Sequence, residues 1–133
     1  MPIAAKDLMA EVRKLASEYP DCIVNACLYI DAESSQYPDI NGCIIGVALR
    51  RLGVTEEMCH EAHEFTCSSI QMAEVRSHFG VLDASQVEVA WLYKVQRHQD
   101  LKNKWSEAIT VADDHIQDCY NVSPPISTPT EEA

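Results

Sequence analysis

Apolar side chains recur at steps of three and four residues along most of this chain, and that spacing constrains its fold more than any other feature. Leu8, Val12, Leu15 and Tyr19 share one face, while Lys6, Asp7, Glu11, Arg13, Lys14 and Glu18 fall largely elsewhere. The pattern predicts an amphipathic helix over residues 4–19, stopped by Pro20. Ile44, Ile45, Ala48, Leu49 and Leu52 form a second apolar face, with Asn41 as its cap, a start at Gly42 and Gly53 as its stop. Gly46 falls inside that helix, where glycine costs about 1 kcal/mol relative to alanine. The compensation expected is another backbone packed closely against it. Thr55 caps a short helix whose Met58, Ala62 and Phe65 share a face. Thr66 or Ser68 begins another, carrying Met72, Val75 and Phe79 and ended by Gly80.

The segment Asp83-Ala-Ser-Gln86 reads as the strongest local helix start, with Asp83 as the cap and Leu82 and Val87 as a hydrophobic staple around it. From there Val87, Ala90, Trp91 and Val95 continue toward His98. Asn103 bends or restarts the helix, and Trp105, Ala108, Ile109, Ala112 and Ile116 resume the spacing. Residues 22–30 differ: Val24, Ala26, Leu28 and Ile30 alternate at period two, the mark of a strand. A lone strand leaves backbone groups unpaired, so a small hairpin or a second molecule must complete it. The fold expected is mainly α, a compact bundle of about five helices with one short strand or small β-hairpin. It forms a single globular domain over residues 1–121. Residues 122–133, rich in Pro, Ser, Thr and Glu, read as a disordered tail.

Charge limits the functions open to such a bundle. The 133 residues hold 10 Lys+Arg against 21 Asp+Glu, a formal charge of -11. A phosphate backbone requires clustered cations, so direct binding of nucleic acid or of an anionic membrane surface is not expected. The deficit is nearly uniform: residues 1–66 hold five cations against eleven anions, and residues 67–133 hold five against ten. With 47% hydrophobic residues the acidity belongs to a folded surface rather than to a disordered chain. The start MPIAAKDLMAEV has no secretory signal character, and no apolar run approaches the roughly 18 residues of a membrane span. A cytoplasmic location is expected, with Cys22, Cys27, Cys43, Cys59, Cys67 and Cys119 reduced and mostly buried.

Motifs for chemistry are sparse. Cys59, His63 and Cys67 lie at i, i+4 and i+8, one face of a continuous helix, and thiolate with imidazole suits zinc. The cysteine pair of a zinc knuckle is missing, however, and Thr66 and Ser68 suggest a break before or after Cys67. Core-facing cysteines and solvated histidines are the plainer reading. His60 and His63 are three apart, one short of the zinc-protease spacing. No Gly-x-Ser-x-Gly elbow occurs, and four glycines leave no phosphate-cradling loop. Asp113-Asp114 reads as a solvated face, and Glu56-Glu57 as the first turn of a helix. Lys94, Arg97, Lys102 and Lys104, with His98 among them, could meet a phosphate or an acidic partner. Interleaved Glu88, Asp100 and Glu107 favour a mixed-charge solvated face instead. Trp91 and Trp105 are expected as core anchors. No catalytic, cofactor-binding or metal-binding residue is assigned.

Two stretches carry a resemblance. Asn41-Gly-Cys-Ile-Ile-Gly-Val-Ala-Leu-Arg-Arg-Leu-Gly-Val54 and a later segment from Val89 to Ile109, containing Gln96-Arg-His-Gln-Asp100 and Trp105-Ser-Glu-Ala108, resemble small uncharacterised proteins of bacteriophages infecting actinobacteria. Lys102–Asn103 occupies a turn where glycine is usual in those proteins, which leaves the turn geometry open. The resemblance implies a phage product acting in the bacterial host cytoplasm and transfers no functional residue. The expectation is a small acidic non-enzymatic protein that binds a host or phage protein, most readily a basic one, as a regulator or inhibitor. Two alternatives stand beside it: a zinc-binding protein using Cys59, His63 and Cys67, and an oligomeric structural protein or homodimer completed through residues 22–30.

Overall fold

A computed structural model describes residues 2–24, 29, 30, 37, 39–62 and 70–122. Among these, six helices follow the apolar spacing: α1 (Ala5–Glu18), α2 (Ile44–Arg51), α3 (Glu56–Glu61), α4 (Ala73–His78), α5 (Gln86–Asp100) and α6 (Trp105–Tyr120). The protein is mainly α, as the periodicity implies. Leu8, Val12 and Leu15 of α1, Ile44, Ile45 and Leu49 of α2, and Ala108, Ala112 and Ile116 of α6 are all buried in one core. Trp91 and Trp105 are fully buried within it, the anchors that were expected. The longest packing interface joins α5 to α6, with α1 crossing both and α2.

The β component lies where period-two alternation does not point. Strands β1 (Ile3–Ala4) and β2 (Val81–Leu82) pair in parallel, Ile3 opposite Val81 and Ala4 opposite Leu82. The Ile3 amide also donates to the Gly80 carbonyl at 2.7 Å. In the stretch read as a strand, Val24 forms an isolated bridge and Tyr29 and Ile30 lie in a bend, while residues 25–28 lie outside the described residues. Residues 123–133, most of the expected tail, lie outside them too.

Two helix starts shift by two residues where a side chain has a better use. Asn41 does not cap α2. Its Oδ1 accepts from the Arg50 guanidinium at 2.6 Å, and Cys43 takes the N-cap place with its Sγ accepting from the Gly46 amide at 3.4 Å. A second side chain completes that end: Gln99 Oε1 accepts from the Ile44 amide at 2.8 Å. The cap of α5 is Ser85 rather than Asp83. Ser85 Oγ accepts from the Glu88 amide at 3.1 Å while Glu88 Oε1 accepts from the Ser85 amide at 2.8 Å, a reciprocal capping box. Asp83 turns the chain out of β2 with φ +60, and Leu82 is exposed, so no staple forms. Helix α4 begins at Ala73, with Met72 as an exposed cap residue and Val75 and Phe79 buried. Phe65, Thr66 and Ser68 lie outside the described residues.

Gly46 has the close backbone neighbour that its cost implied. A β-carbon there would overlap the carbonyl of Tyr29, whose ring is buried against Phe79 with centroids 5.0 Å apart. Arg50 holds the same segment, donating to the carbonyls of Tyr29 at 3.1 Å and Asn41 at 3.0 Å. The α5–α6 turn closes on Lys102, at φ +69, the left-handed region that glycine ordinarily supplies. The Lys102 amide donates to Gln99 O at 3.0 Å and the Asn103 amide to His98 O at 3.1 Å, the paired bonds of a Schellman ending. Helix α6 then starts against the loop after α1, its Trp105 and Ser106 amides donating to the carbonyls of Cys22 and Pro20.

One polar cluster crosses three helices. Arg13 of α1 donates through both terminal nitrogens to the two carboxylate oxygens of Asp113 on α6, at 2.5 and 3.1 Å. Trp91 Nε1 of α5 donates to the same carboxylate at 2.8 Å, and the Arg13 guanidinium stacks 4.9 Å from the Trp91 ring. Asp113 therefore departs from the solvated-face reading, whereas Asp114 beside it is exposed.

Candidate functional site

An open cleft lies among the turn that leads into α4, α4 itself, the β2–α5 connection, α5 and the end of α6. Its volume is about 470 Å³. Ala84, Val89 and Ala90 contribute the apolar part, and their short side chains leave room above them. Polar amides come from Gln71 and Gln86. Tyr93 and Tyr120 supply aromatic surface, one from α5 and one from the last residue of α6. The basic side chains of the lining are Arg76 from α4, Lys94 from α5 and His115 from α6, with no carboxylate among the described lining residues.

Each of these side chains sits on its own element. Arg76 is steadied by a 2.8 Å bond from its guanidinium to the Gln71 carbonyl. His115 Nδ1 lies 3.6 Å from Cys119 Sγ one turn along α6, and its ring stands edge-on to Tyr120 with centroids 5.9 Å apart. Lys94 has no ion pair or hydrogen bond among the described residues, and neither helical neighbour at i±3 or i±4 is acidic. Burial holds His98, one turn further on, below its ordinary value, and the Lys94 and Arg97 charges push the same way.

The basic group seen in the sequence divides in space. Lys94 enters the cleft, Arg97 and Lys102 are exposed, and Lys104 lies 3.6 Å from Asp21. The carboxylates expected to balance this group make local bonds instead, although Asp100 also feels the Lys102 charge. Glu88 closes the α5 cap, Glu107 Oε1 accepts from the Lys104 amide at 3.0 Å, and Asp100 accepts from Gln99 Nε2 at 2.7 Å. Sequence reasoning missed Arg76, Tyr93, His115 and Tyr120 as a set. They come from three helices, and no local spacing links them.

Of the zinc-type cluster, Cys59 is fully buried in the last turn of α3, which ends at Glu61. His63 and Cys67 lie outside the described residues. Burial, reinforced by Cys43 and opposed by Arg50, pushes the Cys59 thiol up to about 11, away from the thiolate that a metal would take. Among the described residues no group of three or more His, Cys, Asp or Glu is placed to hold a metal ion. The thiols of Cys22 and Cys43 are also buried, and that of Cys119 is exposed. No described helix is long and apolar enough to cross a membrane.

Fold and site together define a small, mainly helical protein with an open cleft lined by cations. Comparison with family models, with curated proteins and with solved structures returns no match to this chain.

Proposed function

We propose that this is a small non-enzymatic binding protein of bacteriophage origin, acting in the bacterial host cytoplasm, whose acidic exterior recognises a basic protein partner as a regulator or inhibitor. The observation that carries this reading is how the two signs of charge are used. Arg13 and Arg51 are held in intramolecular ion pairs, and Arg50 is turned onto backbone carbonyls. Asp7, Glu57, Glu74, Asp83, Asp114 and Asp118 stand exposed. Lys6, Lys14, Arg97, Lys102 and Lys104 are exposed as well, but exposed carboxylates outnumber exposed cations among the described residues, so the exterior attracts a basic surface and speeds encounter with it.

The resemblance of residues 41–54 and 89–109 to actinobacteriophage proteins supports the origin and the compartment. The test is affinity capture from an actinobacterial lysate at low salt, with an Asp114→Lys/Asp118→Lys variant in parallel. A specific basic protein retained by the native chain and lost by the variant supports the reading. Equal capture by both, or no specific protein at low salt, opposes it.

A further inference from the structure

We propose that the α4–α5–α6 cleft binds a small ligand that joins an anionic group to an aromatic ring through a short linker, with the anion held by Arg76 and Lys94 and the ring set against Tyr93 or Tyr120. The described lining is basic, opposite in sign to the net charge of the protein. In a chain of charge -11, three cationic or protonatable side chains from three helices line one cleft, without a carboxylate among its described lining residues. The Arg76 and Lys94 charges both attract an anion placed in the cleft. Lys94 is the clearest sign, because it reaches the cleft without an internal partner among the described residues. Arg76 presents a planar donor fork suited to carboxylate or phosphate oxygens.

Size and field restrict the ligand further. A cleft of about 470 Å³ falls in the range of small-molecule pockets. The negative field of the whole protein opposes a long polyanion such as nucleic acid, whereas a single anionic group can be compensated by the local cations. Two tyrosines and a short-chain apolar lining add a flat contact surface, which favours a ring over inorganic phosphate alone. Carboxylate and phosphate sources share this chemistry, and the probes separate them.

The experiment follows the backbone amides of Tyr93 and Lys94 by protein-observed NMR during titration with adenosine monophosphate, phenylacetate, adenosine and inorganic phosphate. Saturable shifts are expected with adenosine monophosphate or phenylacetate, and the tighter of the two identifies the anion. Adenosine and inorganic phosphate should each bind about tenfold more weakly than the better probe. Lys94→Ala, which removes no bond to another described residue, and Arg76→Ala should each weaken that probe by about tenfold while the circular dichroism spectrum stays native. The proposal is overturned if neither ring-bearing anion saturates by about 10 mM, or if adenosine or phosphate binds as tightly as the better probe. Unchanged affinity in natively folded Lys94→Ala overturns it as well.

Discussion

Arg13 and Asp113, one hundred residues apart, form a two-point ion pair that ties α1 to α6, and Trp91 of α5 completes the joint from its indole nitrogen. The pair is largely shielded, with side-chain exposures of 9% and 22%. Removing one partner strands the other, so Arg13→Ala should destabilise the protein by about 2–3 kcal/mol in denaturant unfolding. The Arg13→Ala/Asp113→Ala cycle should show a coupling of about 1–2 kcal/mol. Additive single effects would mean that the joint contributes only packing.

Gly46→Ala separates helix propensity from packing by its sign. In a solvent-facing helix the substitution would stabilise by about 1 kcal/mol. Here the new methyl group meets the Tyr29 backbone, whose carbonyl Arg50 holds from the next turn of the same helix. A loss of about 2–3 kcal/mol is expected, the scale of an overpacked core. A rise in melting temperature would show that the Tyr29 segment does not sit on α2.

Lys102 offers the opposite case. Its φ of +69 imposes a left-handed conformation on a residue with a β-carbon, in a turn whose hydrogen bonds are otherwise complete. Lys102→Gly should stabilise the protein by about 0.5–1 kcal/mol, the cost of that conformation less the added freedom of the unfolded chain. Lys102→Ala should give no such gain. Equal stability of the glycine and alanine variants would contradict the turn geometry.

Asp100 gives the fold a pH dependence. Burial raises its carboxyl from the ordinary 3.8 to about 6, against the Gln99 hydrogen bond and the Lys102 charge, which both lower it. The folded protein therefore holds a proton that the unfolded chain has released between pH 4 and 6. The resulting stability is complete below the unfolded value and is lost as pH rises through about 6. Because Asp100 is partly exposed, the effect should be about 1 kcal/mol after solvent screening. Asp100→Asn keeps an acceptor for Gln99, so the native-minus-variant stability should fall across this window. A flat difference would place Asp100 in ordinary solvent.

How much of this was legible in the sequence depends on the range of each signal. Leu8, Val12 and Leu15 predict α1 because a buried stripe has a period of its own. Cap positions were less legible, since Asn41 and Asp83 have the right chemistry but Arg50 and the β2 exit claim them. Two residues per strand cannot display a period, so β1 and β2 left no trace. The Gly46 contact was legible as a debt within a helix, although Tyr29 as its source was not. The cleft was least legible, because Arg76, Lys94 and His115 converge only after α4, α5 and α6 have packed.

The central claim, an acidic exterior that recognises a basic protein, is tested most directly by the ionic-strength dependence of the dissociation constant of the isolated complex. Affinity should fall by about tenfold or more between 50 and 300 mM salt, mainly through slower association, and Asp114→Lys/Asp118→Lys should flatten the slope. An affinity that is constant, or that rises with salt, would contradict the account and point to apolar recognition instead.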